Sequence, residues 1–299
     1  MIEVPEISVE RIAVAAGSIV ADNASLGVDH KTIEATGFPK RRMAADGESL
    51  ESLFLKAAAD LPQCEFGRIG AVVVATFSAP DRFPSLAVRL ASALGVPPCV
   101  PAIDLQAACS AYPYAIYAAG RLAVDTGRKV LLFDGDLQSA LTDPADMSTA
   151  PLFSDAATVS VVSSDPSSPR RSFFSFLSRA SGALSCPAGG PVRMDGFGVF
   201  SFVAAEVSPF LSDFLQNVRM RDSRTIDVFA PHQANMYMVR RLAKSLGLSG
   251  CLAAGGEVYA NTGSCSIPLS LAHSGLKGRA LLAGFGAGLS AAAATVEIL

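Results

Sequence analysis

Three side chains in this sequence are of the types that acyl-transfer chemistry needs, and they lie far apart in the chain. Cys109 sits in Asp104-Leu-Gln-Ala-Ala-Cys109-Ser-Ala-Tyr-Pro, His232 in Ala230-Pro-His232-Gln-Ala-Asn235, and Asn261 in Tyr259-Ala-Asn261-Thr-Gly263. A thiolate attacks a thioester carbonyl readily, and a neutral imidazole and a carboxamide can both donate to a developing oxyanion. Such a set has to be assembled in space by the fold. Small neighbours, Ala107, Ala108, Ser110 and Ala111, leave room for a substrate at the cysteine. Pro113 suits the first turn of a helix that begins beside Cys109, and the positive end of that helix favours thiolate. On this reading Cys109 is the most reactive of the six thiols.

Each residue taken alone has a plainer reading. A lone cysteine in an alanine-rich helix is usually a small core residue. His232 reads equally as a satisfied structural histidine, and Asn261 as a turn asparagine in Asn-Thr-Gly. His30 and His273 have no setting that suggests chemistry. The run Gly284-Phe-Gly-Ala-Gly288 follows an apolar stretch and offers backbone amides to an oxyanion. It is not a phosphate loop of the GxxxxGK[ST] kind.

The elements that must position these residues alternate between strand and helix. Gly70–Thr76, Lys129–Asp134 and Ala157–Val162 read as buried strands. Pro84–Leu94 reads as a helix ending at Gly95, and Cys109–Val124 as a long small-residue helix stopping near Gly127. That alternation predicts an α/β fold with largely buried sheets. The second half echoes the first. Arg89-Leu-Ala-Ser-Ala-Leu-Gly95 returns as Arg241-Leu-Ala-Lys-Ser-Leu-Gly247, and Gly127-Arg-Lys-Val-Leu-Leu132 as Gly278-Arg-Ala-Leu-Leu282. An internal repeat follows, with residues 1–163 carrying the cysteine and residues 164–299 the histidine and asparagine. The Ser-, Pro- and Gly-rich region 163–190 reads as the connection between halves.

Composition narrows the functional classes. The chain has 299 residues, half of them hydrophobic, and a formal net charge of -3. A large core is available, and nucleic-acid or anionic-membrane binding has little support. No uninterrupted apolar run reaches the roughly 18 residues of a membrane span, and the start Met1-Ile-Glu-Val-Pro-Glu is not that of a signal peptide. Six cysteines without CxxC spacing, with three histidines, suggest a reduced, cytoplasmic protein with no metal site.

Taken jointly, and in this order, Ala-Ala-Cys109, Pro-His232-Gln-Ala-Asn, Asn261-Thr and Phe285-Gly-Ala-Gly resemble the thiolase superfamily, and most closely the β-ketoacyl-acyl-carrier-protein synthase III family. Arg82-Phe-Pro-Ser85, Asp143-Pro-Ala-Asp146 and Phe153-Ser-Asp-Ala156 add to the resemblance, which runs from about Ile12 to Leu299. It implies a thiolase-like fold of two related α/β halves layered α-β-α-β-α. It also implies an acyltransferase that loads an acyl group on Cys109 and condenses it with a malonyl thioester, releasing carbon dioxide. His232 and Asn261 would stabilise the enolate. The Cys109 amide and an amide in Gly286-Ala287 would face the thioester oxygen, and Phe285 would lie near the sulfur. No cofactor would be permanently bound. The substrates would be thioesters of coenzyme A or acyl carrier protein, the latter also a protein partner. A homodimer would form through Cys99–Asp104, with Phe83 closing the partner's acyl pocket. The chain departs from the family at the entrance, where Lys31, Ala35, Met147 and Tyr237 stand in place of Trp or Arg. Two alternatives therefore stay open: a specialised member passing its acyl group to another O, N or C nucleophile, or a non-catalytic partner subunit.

Overall fold

The computed structural model describes all of residues 1–299. Its centre is a nine-stranded sheet. In spatial order the strands are Val228–Pro231, Gly278–Gly286, Ser290–Ile298, Arg171–Ser178, Ile2–Ala16, Ala156–Asp165, Val130–Asp136, Ala71–Ala75 and Ala102–Leu105. The internal repeat is visible in the pairing. Ala71–Ala75 runs parallel to Val130–Asp136, which is antiparallel to Ala156–Asp165; Val228–Pro231 runs parallel to Gly278–Gly286, which is antiparallel to Ser290–Ile298. The first strand bridges the two sets: Ile2–Pro5 pair with Arg171–Phe174, and Glu6–Ala16 with Ala156–Asp165.

Helices cover both faces and fill the space between. Ala111–Thr126 and Ser266–Ser274 lie in the middle layer, where Ala111, Ala115, Ile116, Ala119, Ile267 and Leu271 join Val130, Leu132, Ala280 and Leu282 in one core. Small residues allow this close central packing; a Cβ on Gly120 would lie 2.1 Å from Ile7 Cδ1. Leu50–Ala58 and Leu86–Ala93 bury their apolar stripes on one outer face against Val72, Val74, Leu131 and Phe133. The other outer face is covered by Met236–Ser245 and by the helical stretch 196–221, which contains one wide turn at Val203–Val207. The stretch 196–221 is long and apolar enough to cross a membrane by length and composition. Here it buries Phe202, Val207, Leu211, Phe214 and Val218 as an outer layer. The result is a layered α/β architecture with helices between the strand sets and on both outer faces, as the sequence resemblance implies.

Region 163–190 is more than a connection. It contains the strand Arg171–Ser178, whose Phe173 and Phe174 are buried on opposite faces. Its serines and arginine obscure a strand that both halves need. The boundary expected after residue 163 falls inside the strand Ala156–Asp165.

Candidate active site

Cys109 lies in a single 3-10 turn, Ala108–Ser110, between the edge strand Ala102–Leu105 and the helix Ala111–Thr126. Ala108 has a φ of +45°, a left-handed conformation costing on the order of 1–3 kcal/mol for a residue with a side chain. The turn is held by Ser110 Oγ, which donates to the Ala107 carbonyl at 2.8 Å and lies 2.7 Å from Ser290 Oγ. Two glycines let the strand Gly278–Gly286 reach this turn. A Cβ on Gly286 would stand 2.7 Å from the Cys109 Cβ and 3.2 Å from its sulfur, and one on Gly284 would stand 2.8 Å from the Ser110 Cα. Phe285 alternates to the outer core and borders the site through His232, whose ring it meets edge-on at 5.4 Å between centroids.

Burial acts against the thiolate expected at a helix terminus. Burial pushes the Cys109 thiol up to about 12; the Asp136 carboxylate adds to the rise, and the backbone of Ala287 and of Cys109 itself offsets it in part. Desolvation thus disfavours the thiolate in the resting protein. Cys109 is not the most accessible thiol either, because Cys64, Cys99 and Cys186 are exposed.

His232 follows the strand Val228–Pro231, and its backbone N–H donates to the Ala283 carbonyl at 2.8 Å. Burial drives its pKa down to about 3, against a smaller opposing effect of the Gly263 backbone, so the imidazole is neutral at pH 7. Its Nδ1 lies 2.6 Å from Ser266 Oγ, which also accepts from the Gln233 N–H at 3.3 Å. A Ser266 hydroxyl that donates to Nδ1 sets the tautomer in which Nε2 is protonated and a donor. Asn261 is fixed in a similar way. Its carbonyl accepts from Ser154 N at 2.8 Å and Gln138 Nε2 at 2.7 Å. Its Oδ1 accepts from the Gly263 N–H at 3.0 Å, so the carboxamide presents its NH₂. The turn Gly263–Cys265, which starts two residues after Asn261 and ends just before Ser266, packs on the nucleophile turn Ala108–Ser110.

Phe83 stands apart at the surface, 85% exposed. At the expected entrance, the helix His30–Thr36 packs against Met236–Ser245. Lys31 and Ala35 are exposed, as are Met147 and Tyr237. Phe200 stacks on Tyr237 at 6.4 Å, and Arg241 donates to the Tyr237 hydroxyl at 3.1 Å. Arg41 is buried with its Nε on Asn23 Oδ1 at 2.8 Å and is not free for a phosphate.

Sequence reasoning passed over Ser266 and Gln138, which hold His232 and Asn261 without chemistry of their own, and read Ala108 only as a small neighbour of Cys109. It also passed over Asp136, although two acids, Asp134 and Asp136, in a strand that opens with the apolar run Val130-Leu-Leu-Phe133 are themselves a signal.

Two models of one family match the chain: 3-oxoacyl-[acyl-carrier-protein (ACP)] synthase III over residues 103–182, which hold Cys109, and its C-terminal part over 218–298, which hold His232 and Asn261. A beta-ketoacyl-[acyl-carrier-protein] synthase III of Shewanella oneidensis is 30% identical over 291 residues, covering 90% of this chain and 91% of that protein. The chain belongs to the 3-oxoacyl-[acyl-carrier-protein] synthase III family. Solved structures agree. A 3-oxoacyl-(acyl-carrier protein) synthase from Burkholderia xenovorans superposes with a TM-score of 0.88 at 26% identity, over 99% of this chain and 95% of that one. The priming beta-ketosynthase of the R1128 polyketide pathway gives 0.86 at 26% identity, over 99% and 98%. Membership in this synthase III family makes the chain an enzyme, an acyltransferase of the ketoacyl synthase type.

Proposed function

We propose that Cys109 accepts an acyl group from a thioester and passes it to the carbon of a malonyl thioester. In the first step the sulfur attacks the acyl carbonyl, the donor's C–S bond breaks, and the thiol proton leaves with the donor thiol. In the second, the malonyl carboxylate departs as carbon dioxide and its electron pair forms an enolate. The His232 Nε2–H and the Asn261 NH₂ donate to the enolate oxygen. The enolate carbon attacks the acyl carbonyl, the bond to Cys109 breaks, and the sulfur takes up one proton. The amides of Cys109 and of Gly286-Ala287 serve the thioester oxygen, and Phe285 backs His232. Residues 1–163 thus supply the nucleophile and residues 164–299 the enolate donors.

The observation that carries this reading is the commitment of the other hydrogen-bonding atoms: Nδ1 of His232 to Ser266 and Oδ1 of Asn261 to Gly263. What remains on each residue is a neutral donor, which is what an enolate needs and what a general base is not. A non-catalytic partner subunit has no use for it.

The altered entrance favours a donor held by an acyl carrier protein over free coenzyme A. Each lost charge-assisted phosphate bond weakens binding by about 1.5–3 kcal/mol, and Arg41 does not replace the missing contacts. A specialised role outside housekeeping fatty acid synthesis fits the same observation. We further propose a cytoplasmic homodimer. The strand Ala102–Leu105 pairs on one side only and exposes Ile103; pairing with its copy would cover that edge and bring Phe83 to the partner's pocket. The test is mass spectrometry of the intact protein after mixing with acyl-coenzyme A and acyl-carrier-protein donors, followed by malonyl-carrier protein. An acyl mass on the Cys109 peptide that disappears on adding malonyl thioester supports the reading. No acyl mass from any donor overturns it.

A further inference from the structure

The buried carboxyl group of Asp136 takes no part in the steps above, yet it is the most heavily bonded side chain around the site. It ends the strand Val130–Asp136 and is fully buried. Its Oδ1 accepts from Thr76 Oγ1 at 2.9 Å, from the Phe77 N–H at 2.9 Å and from Ser78 Oγ at 3.2 Å. Its Oδ2 accepts from the Ser264 N–H at 3.1 Å and from Ser264 Oγ at 2.5 Å. All five partners donate, so the arrangement is built for the carboxylate. The two oxygens also serve different segments. Oδ1 holds the loop Thr76–Ser78, which leads toward Phe83. Oδ2 holds the turn Gly263–Cys265, whose Gly263 N–H orients the Asn261 carboxamide. There is little slack in that turn, because a Cβ on Gly263 would lie 3.0 Å from Asp136 Oδ2.

We propose that Asp136 is a positioning residue for the condensation step, its ionised carboxylate holding the Gly263–Cys265 turn so that the Asn261 NH₂ meets the enolate oxygen. This rests on the role given to Asn261 above. A protonated carboxyl has one acceptor oxygen converted to a donor, which faces either the Ser264 or the Thr76–Ser78 donors, and the turn loosens. Burial pushes the Asp136 carboxyl up to about 6, with the hydrogen bonds from Ser264, Phe77 and Thr76 pulling it down. Loosening therefore falls in an accessible pH range. The other titratable groups facing this region do not share it. Burial pushes the Asp134 carboxyl, two residues earlier on the same face, well above its ordinary value, with the Ser264 side chain opposing in part. Cys265 and Tyr112 are raised by burial, and His232 is lowered to about 3. Cys109 does not titrate once it is acylated.

The experiment uses enzyme already acylated on Cys109 and measures single-turnover condensation with malonyl-carrier protein from pH 5 to 8, with acylation measured separately. In the parent, condensation should fall about tenfold per pH unit below about 6. In Asp136→Asn, condensation at pH 7.5 should fall at least tenfold and lose that acid limb, while acylation, relieved of the charge that raises the Cys109 thiol, should not fall. In Ser264→Ala, which removes a bond to the carboxylate, the acid limb should move to higher pH. Equal loss of acylation and condensation in Asp136→Asn, parental condensation in it, or an unmoved limb in Ser264→Ala overturns the proposal. If Asp136→Asn does not fold, the Ser264→Ala limb alone decides. A parent that never acylates would instead refute the proposed function, a failure separable from this one.

Discussion

Gly286→Ala puts the proposed contact between strand and nucleophile to a direct test. The added methyl carbon would lie 2.7 Å from the Cys109 Cβ and 3.2 Å from its sulfur. Optimal separation between carbons is about 3.5–4.0 Å, so the turn or the strand must give by roughly 1 Å. The backbone φ of +155° at this position adds strain for any residue with a Cβ. Overpacking of this kind destabilises by about 1–3 kcal/mol. The larger effect falls on chemistry, since a displacement of about 1 Å at the reacting atom can cost about 10²-fold. The assay is the rate of acyl transfer to Cys109 by rapid mixing and intact mass, at a temperature where thermal melting shows the variant folded. Gly67→Ala is the control, because nothing lies within 4 Å of its added carbon. Acylation should fall by about two orders of magnitude in Gly286→Ala and stay parental in Gly67→Ala. Parental acylation in folded Gly286→Ala would refute the reasoning that the sulfur lies against this strand.

Other outcomes follow from the same geometry. His232→Ala and Asn261→Ala should still acylate, while condensation drops roughly 10²-fold or more, the usual loss for an oxyanion donor; single-turnover assays of each step check this. Brief iodoacetamide treatment should label Cys64, Cys99 and Cys186 before Cys109, since those three are exposed and the Cys109 thiol is buried and raised to about 12; peptide mapping that finds Cys109 first would contradict the burial. The Asp134 carboxyl is pushed well above its ordinary value by burial, so the native state holds its proton more tightly than the unfolded chain. Its contribution to stability is therefore present at low pH and lost as pH rises above about 4, at up to about 1.4 kcal/mol per pH unit. Relative to the parent, Asp134→Asn should gain stability between pH 4.5 and 7.5 in urea unfolding, and a difference that does not change with pH would refute this.

Much of this fold is legible in local patterns. The run Ala71-Val-Val-Val-Ala75 is buried at every position, and a continuous apolar run is what a strand covered on both faces requires. The helix before Gly127 ends there because that glycine takes the left-handed cap, φ +63°. Arg171–Ser178 is less legible, because its serines and the Ser/Pro/Gly-rich sequence around it read as a connection although Phe173, Phe174, Phe176 and Leu177 suit a strand, which pairs with Ile2–Pro5 and Ser290–Thr295. The helical stretch 196–221 escapes for a similar reason: its glycines, serines and proline hide a helix that packing sustains. At the site, the three reactive side chains are readable from type and context. Their orienting partners Ser266, Gln138 and Asp136 are not, because a serine or a buried acid has meaning only once its hydrogen-bond geometry exists. The protonation states are equally invisible, since a helix terminus can be read from sequence but the desolvation that opposes thiolate at Cys109 cannot.

The central claim is that Cys109 carries the acyl group and that His232 and Asn261 act only after it is loaded. The most direct measurement is intact-protein mass spectrometry with peptide mapping, made on the parent, Cys109→Ala and His232→Ala proteins with an acyl-carrier-protein donor and then with malonyl-carrier protein. The account predicts an acyl mass on Cys109 in the parent that is discharged to β-ketoacyl product, the same mass retained in His232→Ala, and none in Cys109→Ala. An acyl mass that persists in Cys109→Ala, or that is discharged at the parent rate in His232→Ala, would contradict it.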